Sequence, residues 1–369
     1  MPAIHTREPA LVLRAGAQAR QHLLEHGLRA EHISVVPGAA GGPKAVGISG
    51  LDQAIFGQFL PRAPRPRTLI GASIGSWRFA AVAGATDGED AAARLRRLAE
   101  LYSAQRFPKG ITPREVTRRC ALMLDELLGD SDPAVLDNPD YRLVVVVIRS
   151  RRAISGEGRL GLGLGLAGVI GGNLLSRRAL GVFMERGLVY PGEAPLPLSD
   201  LNDFATHHIG LSGENLRAAL LASAAIPMVL EGVRDLPGGP AGVYRDGGLL
   251  DYHLDLPYRT DDDLVLYPHF TNRVIPGWFD KPLRWRNGNA GRLARTLLVA
   301  PSADYLARLP HGKLPDRTDF KTYLGDDEGR ERYWHRAIDE SRRLGDEFLE
   351  LVERGRDGGG ALAARLQPF

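Results

Sequence analysis

The uninterrupted apolar run Leu143–Ile148, with four consecutive valines, constrains the fold of this chain more than any other feature. Valine and isoleucine favour strands, and a run without alternating polar residues is typical of a strand buried on both faces. Such a strand is stable only in a sheet that is covered on each side. The run therefore predicts the central strand of a buried sheet.

Shorter apolar runs alternate with segments of helical pattern along the chain. Strand candidates are Ile33–Val36, Thr68–Ile70, Val243–Arg245 and Leu264–Tyr267, and helix candidates are Lys44–Phe59, a segment from Ser73, Asp87–Phe107, a segment from Thr112, Arg177–Arg186, Leu211–Leu221 and Glu328–Glu353. Strands that alternate with helices predict an α/β protein with a mainly parallel sheet.

Composition excludes several classes of protein. Among 369 residues, 44% are hydrophobic and 25% charged, which is enough apolar mass to bury a core. The single cysteine, Cys120, excludes an internal disulfide and a cysteine-built zinc site. Residues Met1–Arg20 lack the apolar core of a signal peptide, so we expect a cytoplasmic protein. The 47 basic residues are interleaved with 44 acidic ones, which predicts no nucleic-acid partner.

Gly71-Ala72-Ser73-Ile74-Gly75 lies between an apolar strand and an apolar helix. The pattern G-x-S-x-G in that context is typical of a nucleophile elbow, a sharp turn that exposes a serine hydroxyl and needs small neighbours. The helix N-terminus behind it favours developing negative charge. By itself the motif fits two interpretations about equally: Ser73 as a nucleophile, with Gly71 and Gly75 supporting the turn, or a chance pentapeptide in a glycine-rich chain.

A second glycine motif, Gly41-Gly42-Pro43-Lys44, follows the first strand and opens the next helix. Two glycines let backbone N–H groups approach an oxyanion, and Pro43 suits the first helical position. A phosphate-binding P-loop is excluded because Pro43 stands where that motif needs glycine before lysine. The turn therefore fits either an oxyanion hole or a plain glycine turn before a helix.

Asp246-Gly247-Gly248 follows a strand candidate. An aspartate at a strand end can direct its carboxylate into a cleft, and Gly247 and Gly248 would support that turn. By itself the motif is better explained by an Asp-Gly turn in a hairpin.

Taken in chain order, these three motifs resemble the signature of the patatin-like phospholipase family. A fourth segment, Leu220–Pro227, is similar to the helix-ending A-S-x-A-x-P stretch that precedes the family's aspartate. The resemblance covers roughly Ile33 to Pro257. It implies a three-layer α/β fold with a mainly parallel central sheet flanked by helices.

The resemblance also implies a function. The chain would be a serine acyl hydrolase that cleaves carboxylic esters of lipids through a Ser73–Asp246 dyad, without metal or cofactor. Gly41 and Gly42 would stabilise the oxyanion through their amides, with Lys44 beside them. The partner would be a lipid or acyl-ester substrate.

The glycine turn departs from the family's G-G-G-x-R-G pattern. Ala40 and Ala45 replace the outer glycines, and Lys44 replaces an arginine, which keeps the charge but loses the bidentate fork. A non-catalytic lipid-binding relative is therefore one alternative. A Ser–His–Asp esterase is another, in which a histidine downstream of Asp246 would act; the candidates are His253, His269, His311 and His335.

Residues 160–176 carry no charge and include six glycines between positions 161 and 172. The formal G-x-G-x-x-G at 163–168 does not directly follow a strand, which argues against a dinucleotide site. The run is short for a membrane span, and glycine disfavours a helix in water. Two interpretations stay open: a mobile apolar flap that borders the acyl site or touches a membrane surface, or a buried packing segment.

The motifs suggest a division of the chain into three parts. We expect an N-terminal extension over 1–32, a catalytic domain over 33–258, and an α-rich C-terminal extension over 259–369 packed on that domain. The partners we expect are the substrate and, through 160–176, a peripheral membrane surface. No feature of the sequence defines an oligomeric state.

Overall fold

The computed structural model describes residues 8–355 and 360–369. Within these residues, eleven strands belong to a single sheet. They are β1 Leu11–Ala15, β2 Ile33–Gly38, β3 Arg67–Ala72, β4 Tyr141–Ser150, β5 Met184–Tyr190, β6 Thr206–Gly210, β7 Val233–Arg234, β8 Val243–Asp246, β9 Leu264–Pro268, β10 Thr296–Pro301 and β11 Leu366–Pro368.

Helices flank this sheet. They are α1 Ala17–His26, α2 Ser49–Ala54, α3 Ile74–Ala83, α4 Gly88–Ser103, α5 Pro113–Leu128, α6 Asp132–Asp137, α7 Arg159–Leu175, α8 Leu216–Ala224, α9 Ala303–Arg308, α10 Asp319–Thr322, α11 Asp327–Glu340, α12 Arg342–Arg354 and α13 Gly360–Ala363. Short 3-10 helices include Gly42–Ile48, Arg177–Val182 and Trp278–Asp280, and a π-helical turn covers Ile55–Phe59.

The sheet is mixed, with a parallel centre. Its strand order is β11-β1-β10-β9-β2-β3-β4-β5-β6, and β10, β9, β2, β3 and β4 are parallel neighbours. β1, β5 and β8 join antiparallel. The predicted α/β architecture with a mainly parallel central sheet is therefore confirmed. Strands from before residue 33 and after residue 258 belong to the same sheet as β2, β3 and β4.

β4 occupies the position that its apolar run predicted. Every side chain from Leu143 to Ile148 is fully buried. Because successive side chains of a strand point to opposite faces, both faces of the sheet are covered at this strand. β4 pairs with β3 over its first half, with β8 beyond it, and with β5 along the opposite edge.

The parallel strand β2 and helix α3 approach each other so closely that no side chain fits between them. A β-carbon at Gly75 would lie 1.9 Å from the carbonyl oxygen of Gly38. A β-carbon at Gly71 would lie 2.4 Å from the backbone nitrogen of Ser76. Both glycines of the G-x-S-x-G motif are therefore required by the backbone packing around the turn.

The prediction of a helix over Arg177–Arg186 is wrong. A 3-10 helix covers Arg177–Val182, and β5 begins at Met184. Two charged residues of this segment are ion-paired with distant parts of the chain: Arg186 contacts Asp251 and Asp203, and Glu185 contacts Arg149. Tertiary ion pairing here overrides the local pattern.

Two other helix predictions need new bounds. The predicted single helix over Glu328–Glu353 is two helices, α11 and α12, separated at Ser341. The Ser341 hydroxyl accepts a hydrogen bond of 2.8 Å from the N–H of Gly50, which fixes this junction against α2. The helix predicted over Leu211–Leu221 is α8, which begins at Leu216.

The glycine-rich segment forms the regular helix α7, with one side buried and one side open. Leu162 and Val169 pack with Leu180 and Phe183 in a small cluster of their own. Leu160, Leu164, Ile170, Leu174 and Leu175 are exposed. No helix in the described residues is long and apolar enough to cross a membrane.

Replacing Gly75 with alanine is expected to lower the free energy of unfolding by about 1–3 kcal/mol or more, because the new methyl group overlaps the Gly38 backbone. Urea unfolding measures this change.

Gly171→Ala is the matched control. A β-carbon there meets no atom within 4 Å, and alanine is the better helix former. This change is expected to raise stability by about 0.5–1 kcal/mol. Equal effects of the two substitutions would contradict the proposed backbone contact.

Candidate active site

Strand pairing brings the three sequence motifs to one place. β2 and β3 are in parallel register with Gly38 opposite Gly71, so the glycine turn after β2 lies beside the elbow after β3. Ala72 of β3 pairs with Val146 of β4, and Asp246 of β8 pairs with the next residue, Val147. β3 and β8 therefore end facing each other along the same edge of β4.

Ser73 has the strained backbone of an elbow. Its φ of 56° and ψ of −130° are rare for a residue with a side chain, and such a conformation costs about 1–3 kcal/mol. Ser73 directly precedes α3, but its hydroxyl makes no capping bond to that helix. The hydroxyl is thus free to turn toward the end of β8.

Ser223 holds the elbow in this conformation. Its hydroxyl accepts a 2.8 Å hydrogen bond from the Ser73 N–H and donates a 2.7 Å bond to the carbonyl oxygen of Val146. The indole N–H of Trp77 donates to the carbonyl oxygen of Leu220 at 2.8 Å. The segment Leu220–Pro227 therefore ties α3 to β4. The sequence pattern identified this segment as a motif, but it did not predict the role of Ser223.

The Ser73 hydroxyl donates a hydrogen bond of 2.8 Å to Oδ2 of Asp246. Both side chains are buried, with exposed fractions of 3% and 5%. Oδ1 of Asp246 accepts a 2.8 Å bond from the N–H of Gly248. Burial raises the pKa of Asp246, and the charge of Arg317 and these hydrogen bonds oppose that rise. The carboxylate is therefore more basic than a free one.

The two glycines after Asp246 are required by close contacts. A β-carbon at Gly247 would lie 2.2 Å from the carbonyl oxygen of Val146, and one at Gly248 would lie 2.6 Å from Cβ of Ala40. The turn is anchored further on by Asp251, which is buried and accepts two hydrogen bonds from Arg186, at 2.7 and 2.9 Å.

The glycine turn after β2 lies beside the Ser73–Asp246 pair. Gly42 has a φ of +56°, which favours glycine, and it begins the 3-10 helix Gly42–Ile48 with Pro43 next. A β-carbon at Gly41 would lie 2.4 Å from the ring of Phe270. Gly41 lines the same cavity as Asp246, and Gly42 lines the same cavity as Ser73.

Two cavities of different chemistry meet at this point. The cavity beside Ser73 has a volume of about 340 Å³ and is lined mainly by apolar and aromatic side chains, among them Ile74, Trp77, Phe107, Val116, Met123, Val229 and Leu230. We call it the apolar cavity. Burial raises the pKa of the Cys120 thiol to about 11, so this thiol is uncharged where it lines the cavity.

The cavity beside Asp246 has a volume of about 310 Å³ and is lined by charged groups as well as by Leu249, Tyr252 and Trp278. We call it the polar cavity. Its cations are Lys44, Lys281 and Arg317, and Arg317 also lines the apolar cavity. The sequence identified Lys44 at this site but not Lys281 or Arg317, which come from loops without a recognisable motif.

Histidine does not contact the Ser73–Asp246 pair anywhere in the described part of the chain. His253 is fully buried, and its Nδ1 accepts a 3.0 Å hydrogen bond from the N–H of Ile275. Burial lowers the pKa of His253, and that of His269 to about 3, so both rings are neutral. His311 bonds to the hydroxyl of Tyr323, and His335 lies 3.3 Å from the hydroxyl of Ser103.

Comparison with known proteins adds little. No protein-family model matches the chain, and no curated protein matches its sequence. Among solved structures, the crystal structure of VipD from Legionella pneumophila is similar at 15% identity and a TM-score of 0.32. The match covers 66% of this chain and 50% of VipD, so this chain spans about half the length of that neighbour.

Removing the Ser223 hydroxyl should weaken the elbow. In Ser223→Ala the buried N–H of Ser73 loses its acceptor, so we expect a loss of about 1–3 kcal/mol in the free energy of unfolding, measured by urea unfolding.

Ser150→Ala is the matched control. Ser150, on β4, is buried like Ser223, but its hydroxyl has no hydrogen-bond partner among the described residues. We expect this control to be neutral. Similar losses in both variants would show that the Ser223 bonds are not what stabilises the turn.

Proposed function

We propose that this protein is a cytoplasmic serine acyl hydrolase that cleaves carboxylic esters of lipids, of the kind that its four motifs resemble in patatin-like phospholipases. The observation that carries the proposal is the 2.8 Å hydrogen bond from the Ser73 hydroxyl, on a strained elbow, to the buried carboxylate of Asp246. A serine activated by an adjacent base is the arrangement that nucleophilic acyl transfer requires.

In the first step, Ser73 Oγ attacks the carbonyl carbon of the ester, and its proton passes to Oδ2 of Asp246. The raised pKa of Asp246 suits this role, since a more basic carboxylate accepts the proton more readily. The amides of Gly41 and Gly42 would stabilise the oxyanion of the tetrahedral intermediate. Loss of one such donor typically costs about 3–4 kcal/mol of barrier.

The bond between the carbonyl carbon and the alcohol oxygen then breaks, and Asp246 returns the proton to the departing alkoxide. Water enters next, gives a proton to Asp246, and attacks the acyl-serine carbon. The bond between that carbon and Ser73 Oγ then breaks, Asp246 returns the proton to Oγ, and the acid leaves. This order places the leaving alcohol on the Asp246 side, in the polar cavity. The acyl chain then occupies the apolar cavity, which Ser73 lines.

Two alternatives from the sequence have less support. A Ser–His–Asp esterase needs a histidine that bonds to the serine, whereas the hydroxyl of Ser73 bonds to Asp246 itself. A non-catalytic lipid-binding relative would not need a buried Ser–Asp pair on a strained turn. That strain is consistent with a functional role for the turn.

We also propose that α7 attaches the enzyme peripherally to an anionic membrane surface. Its solvent face carries Leu160, Leu164 and Leu175, whose exposed fractions are 86%, 75% and 89%, and no charged residue follows Arg159 within the helix. A contiguous exposed apolar face of this kind marks an interaction site.

The surroundings of α7 favour lipid over protein as its partner. Arg152, Arg159 and Arg178 flank the helix, are exposed, and form no ion pair within the described residues. Trp285, which is 75% exposed, adjoins Arg286, whose guanidinium bonds to Asn173 of α7. An apolar helix face with flanking arginines and an exposed tryptophan matches an anionic lipid interface.

Asp246→Asn should keep the hydrogen bond geometry but remove the base, and Ser73→Ala should remove the nucleophile. We expect Asp246→Asn to lower kcat/KM for a short-chain ester by about 10²- to 10⁴-fold. We expect a fluorophosphonate probe to label the wild type and not Ser73→Ala.

His253→Asn is the control for this experiment, because an asparagine oxygen can still accept from the N–H of Ile275. We expect it to remain active. A folded but inactive His253→Asn would support the triad, and a wild type that neither labels nor hydrolyses esters would support the non-catalytic alternative.

The double substitution Leu160→Asp, Leu164→Asp should release the protein from vesicles that contain phosphatidylglycerol. Burial of each leucine contributes about 1.5–3 kcal/mol, so we expect at least a tenfold weaker partition in liposome flotation.

Leu122→Asp on α5 is the matched control, since Leu122 is 53% exposed but lies away from α7. Equal flotation of all three proteins would contradict the membrane proposal. So would flotation that ignores the anionic lipid content, or self-association that the double substitution abolishes without any flotation.

A further inference from the structure

The polar cavity holds more positive charge than the reaction requires. Lys44, Lys281 and Arg317 line it together with two carboxylates, Asp246 and Asp316. Lys313 is shared between Asp316 and Asp319, with its Nζ 2.8 and 2.7 Å from their carboxylates. Asp246 and Asp316 carry two negative charges against the three positive charges of the lining cations. The remaining positive charge faces the space where the leaving alcohol would lie.

These three cations line one cavity without a carboxylate partner among the described residues. Most of the arginines in the described residues lie within 4.0 Å of an aspartate or glutamate, as Arg186 and Arg286 do. Lys44, Lys281 and Arg317 form no such pair in residues 8–355 and 360–369, and three like charges in one cavity repel each other. A bound anion would offset this repulsion between the three cations.

Aromatic rings, rather than carboxylates, position the two lysines. Nζ of Lys44 lies 5.1 Å from the ring centroid of Phe270, and Nζ of Lys281 lies 4.2 Å from that of Tyr252. Cation–π contacts hold an ammonium group in place while leaving its N–H donors free for a ligand. The arrangement is that of a preformed site for an anion.

The neighbouring positive charges also affect the pKa of Lys281. Lys281 is exposed at the cavity mouth, but desolvation there, together with the charges of Lys44 and Arg317, lowers its pKa to about 7, while Asp246 and Asp316 oppose this shift. Near neutral pH the ammonium group is therefore only partly protonated. An anion in the cavity would favour the charged form.

We propose that the substrate carries an anionic group, a phosphate or a carboxylate, on the alcohol side of the scissile ester, and that Lys44, Lys281 and Arg317 bind it in the polar cavity. The proposal rests on the proposed ester hydrolysis and specifies its substrate class. Lys281 and Arg317 lie outside the part of the chain that carries the patatin-like motifs. This specificity would therefore be a property of the segment after residue 258.

The oxyanion alone does not account for three cations. That charge forms on the former carbonyl oxygen beside the amides of Gly41 and Gly42, whereas Lys281 extends from the loop after the 3-10 helix Trp278–Asp280. Arg317, which lines both cavities, lies where the acyl and alcohol parts of the ester would meet. The site thus distinguishes the two ends of an amphiphilic ester by charge.

Three lauroyl esters test this proposal: lauroyl lysophosphatidic acid, the lauroyl ester of glycolate, and neutral monolauroylglycerol. We expect kcat/KM for at least one anionic ester to exceed that of the neutral ester by about 10- to 100-fold. Lys281→Gln and Arg317→Gln should bring this ratio toward one, and Arg317→Lys should recover part of it. The preferred anionic ester shows whether phosphate or carboxylate is bound.

Arg20→Gln is the matched control, because it removes one positive charge from the exposed face of α1 and lines neither cavity. We expect it to keep the wild-type ratio. An equal fall of the ratio in Arg20→Gln would assign the preference to overall charge and overturn the proposal.

Calorimetry with the two free anions, inorganic phosphate and glycolate, and the Ser73→Ala protein separates this inference from the proposed function. At about pH 8, binding of the anion should be accompanied by proton uptake in the parent protein but not in Lys281→Arg, which stays charged. Ester hydrolysis without any charge preference, or neither anion bound, would overturn the anion site alone. Anion binding without hydrolysis of any ester would leave the anion site standing and overturn the proposed function.

Discussion

The candidate site depends on the pairing of two strands with one edge of β4. β3 arrives parallel to β4 and β8 arrives antiparallel, and the two end on adjacent residues, Val146 and Val147. This register alone brings Ser73 and Asp246 within hydrogen-bond distance, although they are far apart in the chain. A shift of either strand by one residue would turn the paired side chains to the opposite face. The fully buried run Leu143–Ile148 makes such a shift costly.

The chemistry that the site can support depends on the two cavities beside Ser73 and Asp246. Ser73 faces an apolar cavity built by α3, α5 and the end of α8, whereas Asp246 faces a polar cavity with unpaired cations. In the proposed reaction, an ester placed across the junction would have its acyl chain and its alcohol in separate environments. The buried carboxylate would then serve attack and departure in turn, because the alcohol would leave on its side.

Much of the sheet and of the reacting pair could be predicted from sequence, because both depend on local patterns. Buried strands are continuous apolar runs, and a strand–turn–helix with small residues identifies Ser73. Lys281 and Arg317 could not be found in this way, since their role comes from the position of distant loops. β5 was missed because Glu185 and Arg186 lie in a strand whose charges are satisfied by partners elsewhere in the chain. The sequence did not predict helix α7, because glycine weakened the helical signal, but packing of Leu162 and Val169 supports the helix.

The close approach of Gly75 to the backbone of Gly38 has a consequence for variation in the chain. A side chain at either position would push β2 and α3 apart, and that movement would open the turn that carries Ser73. Neither glycine contributes a reacting atom. In a complete substitution scan, positions 38 and 75 should nevertheless behave as one intolerant unit, and no change at one should rescue a change at the other.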